Sequence, residues 1–157
     1  MRIIALDVGE KRIGTAVADS DIRIALPRQM IPVDGNEFSE IAKLFMRENA
    51  KAIISGLPRN NSGETTRQTK SVQNFISTLK DYFEAQNITA VFAFQDESWT
   101  SEQAKDHIAV KKHLVTRQDR DSGTIDSEAA TIILQDFLEG PRLDELKGKL
   151  KEKRRNG

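Results

Sequence analysis

Three acidic residues stand where packing alone does not ask for an acid: Asp7, Glu97 and Asp126. Asp7 follows the apolar run IIAL. An ionised carboxylate beside Ile, Leu and Val is costly unless it is paired or bound to a cation. Glu97 follows the run ITAVFAF, with Asp96 beside it as an additional candidate ligand. Asp126 opens a helical pattern in which Ala129, Ala130 and Ile133 fall on its own side, while Glu128 points away. Carboxylates from distant parts of a chain repel one another, and a shared divalent cation removes that repulsion. Hard oxygen donors suit Mg²⁺ or Mn²⁺. Two such ions about 4 Å apart activate a water and stabilise the leaving oxygen of a phosphodiester. Metal-dependent phosphodiester hydrolysis is therefore the chemistry this set of acids would serve.

Each acid also has an ordinary structural use. Asp7 with Gly9 is a common Asp-x-Gly turn. Glu97 lies ahead of a helix, where the dipole favours acids. Asp126 can cap its helix. What sets the three apart is that each sits at the end of an element that can reach one sheet edge, since in open α/β sheets chemistry collects at the carboxyl ends of parallel strands.

The elements that must carry them follow from hydrophobic patterning. Residues 2–8 read as a strand covered on both faces. Gly9–Arg12 makes a turn, and residues 13–19 read as its hairpin partner. Residues 22–33 give a third strand interrupted by Pro27. A helix is expected over 36–48, with Phe38, Ile41, Ala42 and Phe45 on one face. Residues 51–55 form a short strand, followed by the loop GLPRNNSG over 56–63. A long helix then carries Val72, Phe75, Ile76, Leu79 and Phe83. Residues 89–94 form another strand. Thr100 with Gln103 reads as a capping box opening a helix, residues 111–124 as a loop, and 125–138 as a last helix stopping before Gly140 and Pro141. Adjacent early strands are antiparallel; strands joined by helices are parallel. The expected class is α/β: a mixed five-stranded sheet, three antiparallel strands then two parallel, with helices on both faces.

Composition fits this reading. The chain has 157 residues, 38% hydrophobic and 31% charged, which suggests one ordinary globular domain. With no cysteine there is no disulfide framework, thiolate zinc site or cysteine nucleophile. His107 and His113, the two histidines, are six apart and share no helix face. No apolar run approaches the roughly 20 residues of a membrane span, and no signal-peptide pattern opens the chain, so a cytoplasmic location is expected. Formal net charge is zero, yet residues 147–155 read KGKLKEKRR, a basic stretch able to hold phosphates or simply to be solvated. Lys11 and Arg12 on the first hairpin, beside Asp7, and Arg59 in the GLPRNNSG loop either contact a nucleic-acid backbone or are solvated charges on a hairpin tip and in a plain strand-to-helix connection. The glycines of that loop permit positive φ, and the helix after it offers a phosphate site. Trp99 either stacks on a base or anchors the following helix.

Four segments, ALDVGEKRIGTAVAD (5–19), ISGLPRNNSGE (54–64), DESWTSEQA (96–104) and SGTIDSEAATIIL (122–134), resemble the YqgF/RuvX family of small proteins described as Holliday junction resolvases or pre-16S rRNA nucleases. The resemblance implies a ribonuclease H-like nuclease domain over 1–140 and a basic C-terminal tail, flexible or helical, over 141–157. It implies Asp7, Glu97 and Asp126 as catalytic metal ligands, with Asp96 as neighbour. It matches Lys11 and Arg12 to the family's basic hairpin pair, Gly56, Leu57 and Pro58 to its loop, and Arg67 to an arginine opening the long helix. Ser98 replaces the arginine usual after the acidic pair; either another arginine, Arg59 or Arg117, supplies that cation or phosphate binding is weaker.

The resulting expectation is a Mg²⁺- or Mn²⁺-dependent nuclease acting on structured nucleic acid. Its foremost substrate is the 5′ end of pre-16S rRNA, carried on a ribosomal precursor particle. A four-way DNA junction is the alternative, and cutting it symmetrically favours a homodimer over a monomer. A further alternative is a non-catalytic nucleic-acid- or nucleotide-binding module: Asp7, Gly9 and Gly14 are similar to the phosphate loop of the actin and sugar-kinase superfamily, whose members use two such domains.

Overall fold

The structure is a computed structural model that describes residues 1–59, 65–97 and 125–157, the last segment with side chains from residue 127 onward. Its frame is a five-stranded sheet in the order β3-β2-β1-β4-β5. The strands are β1 (Arg2–Val8), β2 (Arg12–Asp19), β3 (Ala25–Pro32), β4 (Ala50–Leu57) and β5 (Val91–Asp96). β1, β2 and β3 pair antiparallel, whereas β4 runs parallel to β1 and β5 parallel to β4. This is the mixed sheet expected from the alternation of hairpins and helical crossovers.

Local chemistry fixes the joints. At the β1–β2 turn the Gly9 N–H donates to the Arg12 carbonyl at 3.0 Å, and a Cβ on Gly9 would stand 2.6 Å from that same oxygen. Only glycine closes the hairpin this tightly. β3 tolerates Pro27 and Pro32 because it is an edge strand. Its register against β2 shifts between Ile13 and Thr15, and the buried Thr15 hydroxyl donates to the Gln29 carbonyl across the irregularity.

Strand alternation sorts the core into two layers. On one face Ile4, Leu6, Ile13, Val17 and Ile53 pack with α1 (Glu37–Arg47) and α2 (Arg67–Ala85). The predicted helix faces supply this layer: Ile41, Ala42 and Phe45 from α1, and Val72, Ile76, Leu79 and Phe83 from α2. Phe38 joins α1 to α2 through Phe75 and Tyr82, with ring centroids 5.1 and 5.9 Å away. On the other face Ile3, Ala5, Ala16, Ala18, Ala52 and Ile54 meet α3 (Ile125–Glu139). Four of those six strand residues are alanines, so α3 lies close to the sheet. Ser127 fixes its start by donating to the Arg28 carbonyl at 2.7 Å, and the Gln135 side chain accepts from the Ala25 N–H at 3.0 Å.

After Gly140 and Pro141 the chain forms α4 (Arg142–Arg155), whose Leu143 and Leu146 are buried in the α3-side layer. The expected helix from Thr100 to Gln103 onward, the loop 111–124, and residues Ser98, Trp99, His107, His113 and Arg117 lie outside the described residues.

Glu48, just past α1, ties the sheet to the α1 side. Its carboxylate accepts from Arg28 at 2.7 Å and from Arg2 at 2.6 Å. The hydrogen bond from Arg28, followed by the other attractions of Arg28 and Arg2, holds the Glu48 carboxyl below its ordinary range against the opposing effect of burial. A depressed folded-state value stabilises the fold above pH 4.5 and loses that contribution as pH falls through the folded value. Because both arginines are partly solvated, Glu48→Gln is expected to cost only about 1–2 kcal/mol at pH 7 by chemical denaturation. The difference from wild type should shrink on acidification below pH 4.

Candidate active site at the carboxyl ends of β1, β4 and β5

Three neighbouring strands end side by side, and alternation decides what each presents. Leu6 pairs with Ser55, so Asp7 comes next to Gly56. Gly56 pairs with Gln95 and Leu57 with Asp96. The Glu97 N–H then donates to the Leu57 carbonyl at 3.1 Å, extending the ladder one residue past β5. Ile3 and Ala5, Ala52 and Ile54, and Val91 and Ala93 all belong to the α3-side layer. Counting on by twos places Asp7, Gly56 and Glu97 on that same face at the carboxyl ends of the three strands.

Gly56, between Asp7 and Glu97, leaves the space that the Glu97 carboxyl group occupies. A Cβ there would lie 2.9 Å from the Glu97 carboxyl carbon and Oε2, and 2.6 Å from Ile133 Cδ1. Sequence alone permits positive φ at the glycines of the GLPRNNSG loop. For Gly56 this is corrected: among the described residues the glycine with positive φ is Gly35, and Gly56 is an extended strand residue. Its small size serves close approach of the Glu97 carboxyl group. Gly63 lies outside the described residues. Gly56→Ala is expected to destabilise the fold by about 1–3 kcal/mol and to depress activity by displacing Glu97. Thermal melts and cleavage assays on the folded variant separate the two effects.

Electrostatics mark Glu97 out. Burial raises its carboxyl group from 4.5 to about 7, and the negative charges of Asp7 and then Asp136 add to the effect. Glu97 is thus a half-buried acid that feels Asp7 across the missing Gly56 side chain. Asp136, on α3, was not singled out by sequence reasoning. The available signal was its position three residues after Ile133, on the flank of the sheet-facing stripe.

The remaining candidates are placed unevenly. Asp126 is the second residue of α3, four and seven residues before the buried Ala130 and Ile133, and its side chain lies outside the described residues. Asp96 belongs by alternation to the opposite face from Glu97, and its carboxylate accepts from Arg59 Nε at 3.0 Å. Asp96 and Arg59 are therefore brought together as an ion pair, rather than Asp96 with Glu97. Lys11 and Arg12 sit on the hairpin beside Asp7, where Asp7, Gly9, Glu10, Lys11, Arg12 and Gly14 line a shallow cleft of about 400 Å³. Arg67 is exposed at the first turn of α2. The phosphate site expected at that helix start is partly used internally: the Thr69 N–H donates to the Thr66 hydroxyl at 3.2 Å, and the Thr69 hydroxyl donates to the Pro58 carbonyl.

The donor set fits a divalent cation in its chemistry. Asp7 and Glu97 are oxygen donors on one face of the sheet, at the ends of β1 and β5 on either side of β4. The Glu97 carboxyl group, raised chiefly by burial and then by Asp7 and Asp136, is one whose ionised form a bound cation would favour. Among the described residues no group of three acids or histidines is assembled for a metal, so a complete ligand set requires a contribution from Asp126 or from elsewhere outside that set.

Comparison with known proteins then decides the lineage. Residues 1–140 match the family model RuvX, described as a Holliday junction resolvase. The chain belongs to the RuvX family. RuvX relatives named "Putative pre-16S rRNA nuclease" include those of Chloroflexus aggregans, 35% identical over 89% of this chain and 94% of the relative, and Lactobacillus gasseri, 31% identical over 92% and 99%. The fowlpox virus Holliday junction resolvase superposes with a TM-score of 0.56 at 17% identity, covering 88% of this chain and 99% of that one. At that identity it speaks for the ribonuclease H-like fold alone. RuvX proteins are nucleases, and the four sequence segments that carried the resemblance lie within the matched region.

Proposed function

We propose that this RuvX protein is a metal-dependent nuclease that hydrolyses phosphodiester bonds in structured RNA and matures the 5′ end of pre-16S rRNA. The observation that carries the reading is the placement of Asp7 and Glu97 on one face of the sheet, at the ends of β1 and β5, with Gly56 of β4 between them. Asp7, Glu97 and Asp126 hold the cation. When bound, Mg²⁺ or Mn²⁺ supplies charge neutralisation and Lewis acidity toward the phosphodiester. The chain's own part is to keep these carboxyl groups together against their repulsion. Lys11 and Arg12 orient the backbone of the substrate beside Asp7, and Arg67 and the Arg59–Asp96 pair border the loop that follows β4. The names of the relatives favour the ribosomal precursor, and a cytoplasmic site of action follows from that substrate. Among the described residues no helix is long and apolar enough to cross a membrane.

The second reading, cleavage of four-way DNA junctions, is favoured by the description of the family model itself. Labelled precursor RNA and a labelled four-way junction, each with Mg²⁺, Mn²⁺ or chelator, separate the two. The proposal expects metal-dependent cutting of the RNA at its immature 5′ end. Cutting confined to the junction would transfer the function to DNA, and tight nucleotide binding with no cleavage of either would favour a binding module.

A further inference from the structure

Helix α4 begins beyond the family match, which ends at residue 140. Its apolar residues are committed to the core: Leu143 and Leu146 are buried and Leu150 packs against the same layer. Arg142 donates to the Phe94 carbonyl of β5, and Lys153 donates to the carbonyl of Ala90, just before β5, at 2.9 Å, so both ends are anchored. Beside the leucine stripe, Lys147, Lys151 and Arg154 follow at intervals of four and three residues and share one face. With Lys51 from β4 they line a cleft of about 550 Å³, where Asp21 is the acid present. Lys147 approaches Asp21 at 3.6 Å. Lys151 and Arg154 are exposed and make no ion pair with an acid among the described residues.

Such a row of cations, spaced about 5–6 Å along a rigid helix, suits a regularly charged polyanion. A lipid surface fits less well, because a helix lying on a membrane buries its apolar face in lipid, and the leucines of α4 face the protein. We infer that the α4 cleft is a second contact site for the phosphate backbone of the nucleic-acid substrate, away from the acids. The identity of the polyanion rests on the nuclease reading. The cleft touches the start of β5 at Thr89–Val91, while Glu97 follows its end. At about 3.3 Å per residue the two lie about 20 Å apart. In an A-form RNA duplex, whose base pairs rise less than the about 3.4 Å of B-DNA, that is about seven base pairs.

The test is binding of a labelled 16-base-pair RNA hairpin to the full chain in chelator, over a salt series. Lys151→Glu/Arg154→Glu is compared with Lys43→Glu/Arg47→Glu on α1, which changes net charge equally, and circular dichroism checks both folds. We expect about tenfold weaker binding for the α4 variant alone, with a salt slope lower by about 1.5. Shortening the duplex to four base pairs should weaken wild type and leave the α4 variant nearly unchanged. Equal loss in both double variants, no loss in either, or binding of wild type to phosphatidylserine vesicles but not RNA would overturn the assignment. Because no cleavage is read, failure of the nuclease mechanism leaves this outcome unaffected. Retained binding by a cleavage-dead Asp7→Asn protein would show the two apart.

Discussion

Asp7→Asn should lower phosphodiester cleavage by on the order of 10³-fold, about 4 kcal/mol of transition-state stabilisation, without unfolding the protein. The side chain keeps its size and its place at the end of β1, beside Gly56 and opposite Gly14 on β2. What it loses is the charge that would hold a cation next to the substrate backbone. Substrate affinity measured in chelator should change little, since the cations of the hairpin and of α4 remain. The loss should therefore appear in turnover at saturating substrate. Turnover equal to wild type would remove Asp7 from the site.

Glu97→Gln carries the second large effect, with opposite signs in activity and stability. Its carboxyl group stands at about 7 in the fold, against 4.5 for an ordinary glutamate, chiefly through burial and then through Asp7 and Asp136. A raised folded-state value means the contribution to stability is full below pH 4.5 and is lost as pH climbs through about 7. The metal-free wild type should thus lose up to about 3 kcal/mol between pH 4.5 and pH 8.5 from this group. Glutamine carries no such penalty, so the variant should be more stable than wild type by about 2 kcal/mol at pH 8.5 and nearly equal to it at pH 5. Cleavage should fall by about 10²–10³-fold. Urea titrations at both pH values, with chelator, check the stability half. Added Mn²⁺ should narrow the gap for wild type alone, because binding favours the ionised carboxyl group.

Much of this was legible in the sequence for a physical reason. The buried strands and amphipathic helices leave strong periodic signals: residues 2–8 read as β1, and the stripe from Val72 to Phe83 became the buried face of α2. Asp7 and Glu97 were visible as charges abutting apolar runs. What was not legible depends on tertiary approach. Gly56 reads as loop flexibility until the Glu97 carboxyl group is found where its Cβ would be. The Arg59–Asp96 pair joins residues 37 apart in sequence, and only the parallel register of β4 and β5 brings them together. Asp136 lies ten residues beyond Asp126 on α3, and its influence on Glu97 follows from how that helix crosses the sheet.

The central claim is that oxygen atoms of Asp7 and Glu97, joined by Asp126, share one divalent cation. Its most direct test is a crystal grown with Mn²⁺ and examined by anomalous scattering at the manganese edge. The account predicts a manganese peak held by carboxylate oxygens of both Asp7 and Glu97, with Asp126 as a further ligand, and no peak in Asp7→Asn. A wild-type crystal with Asp7 and Glu97 ordered and Mn²⁺ bound elsewhere, or on one of them alone, would contradict it.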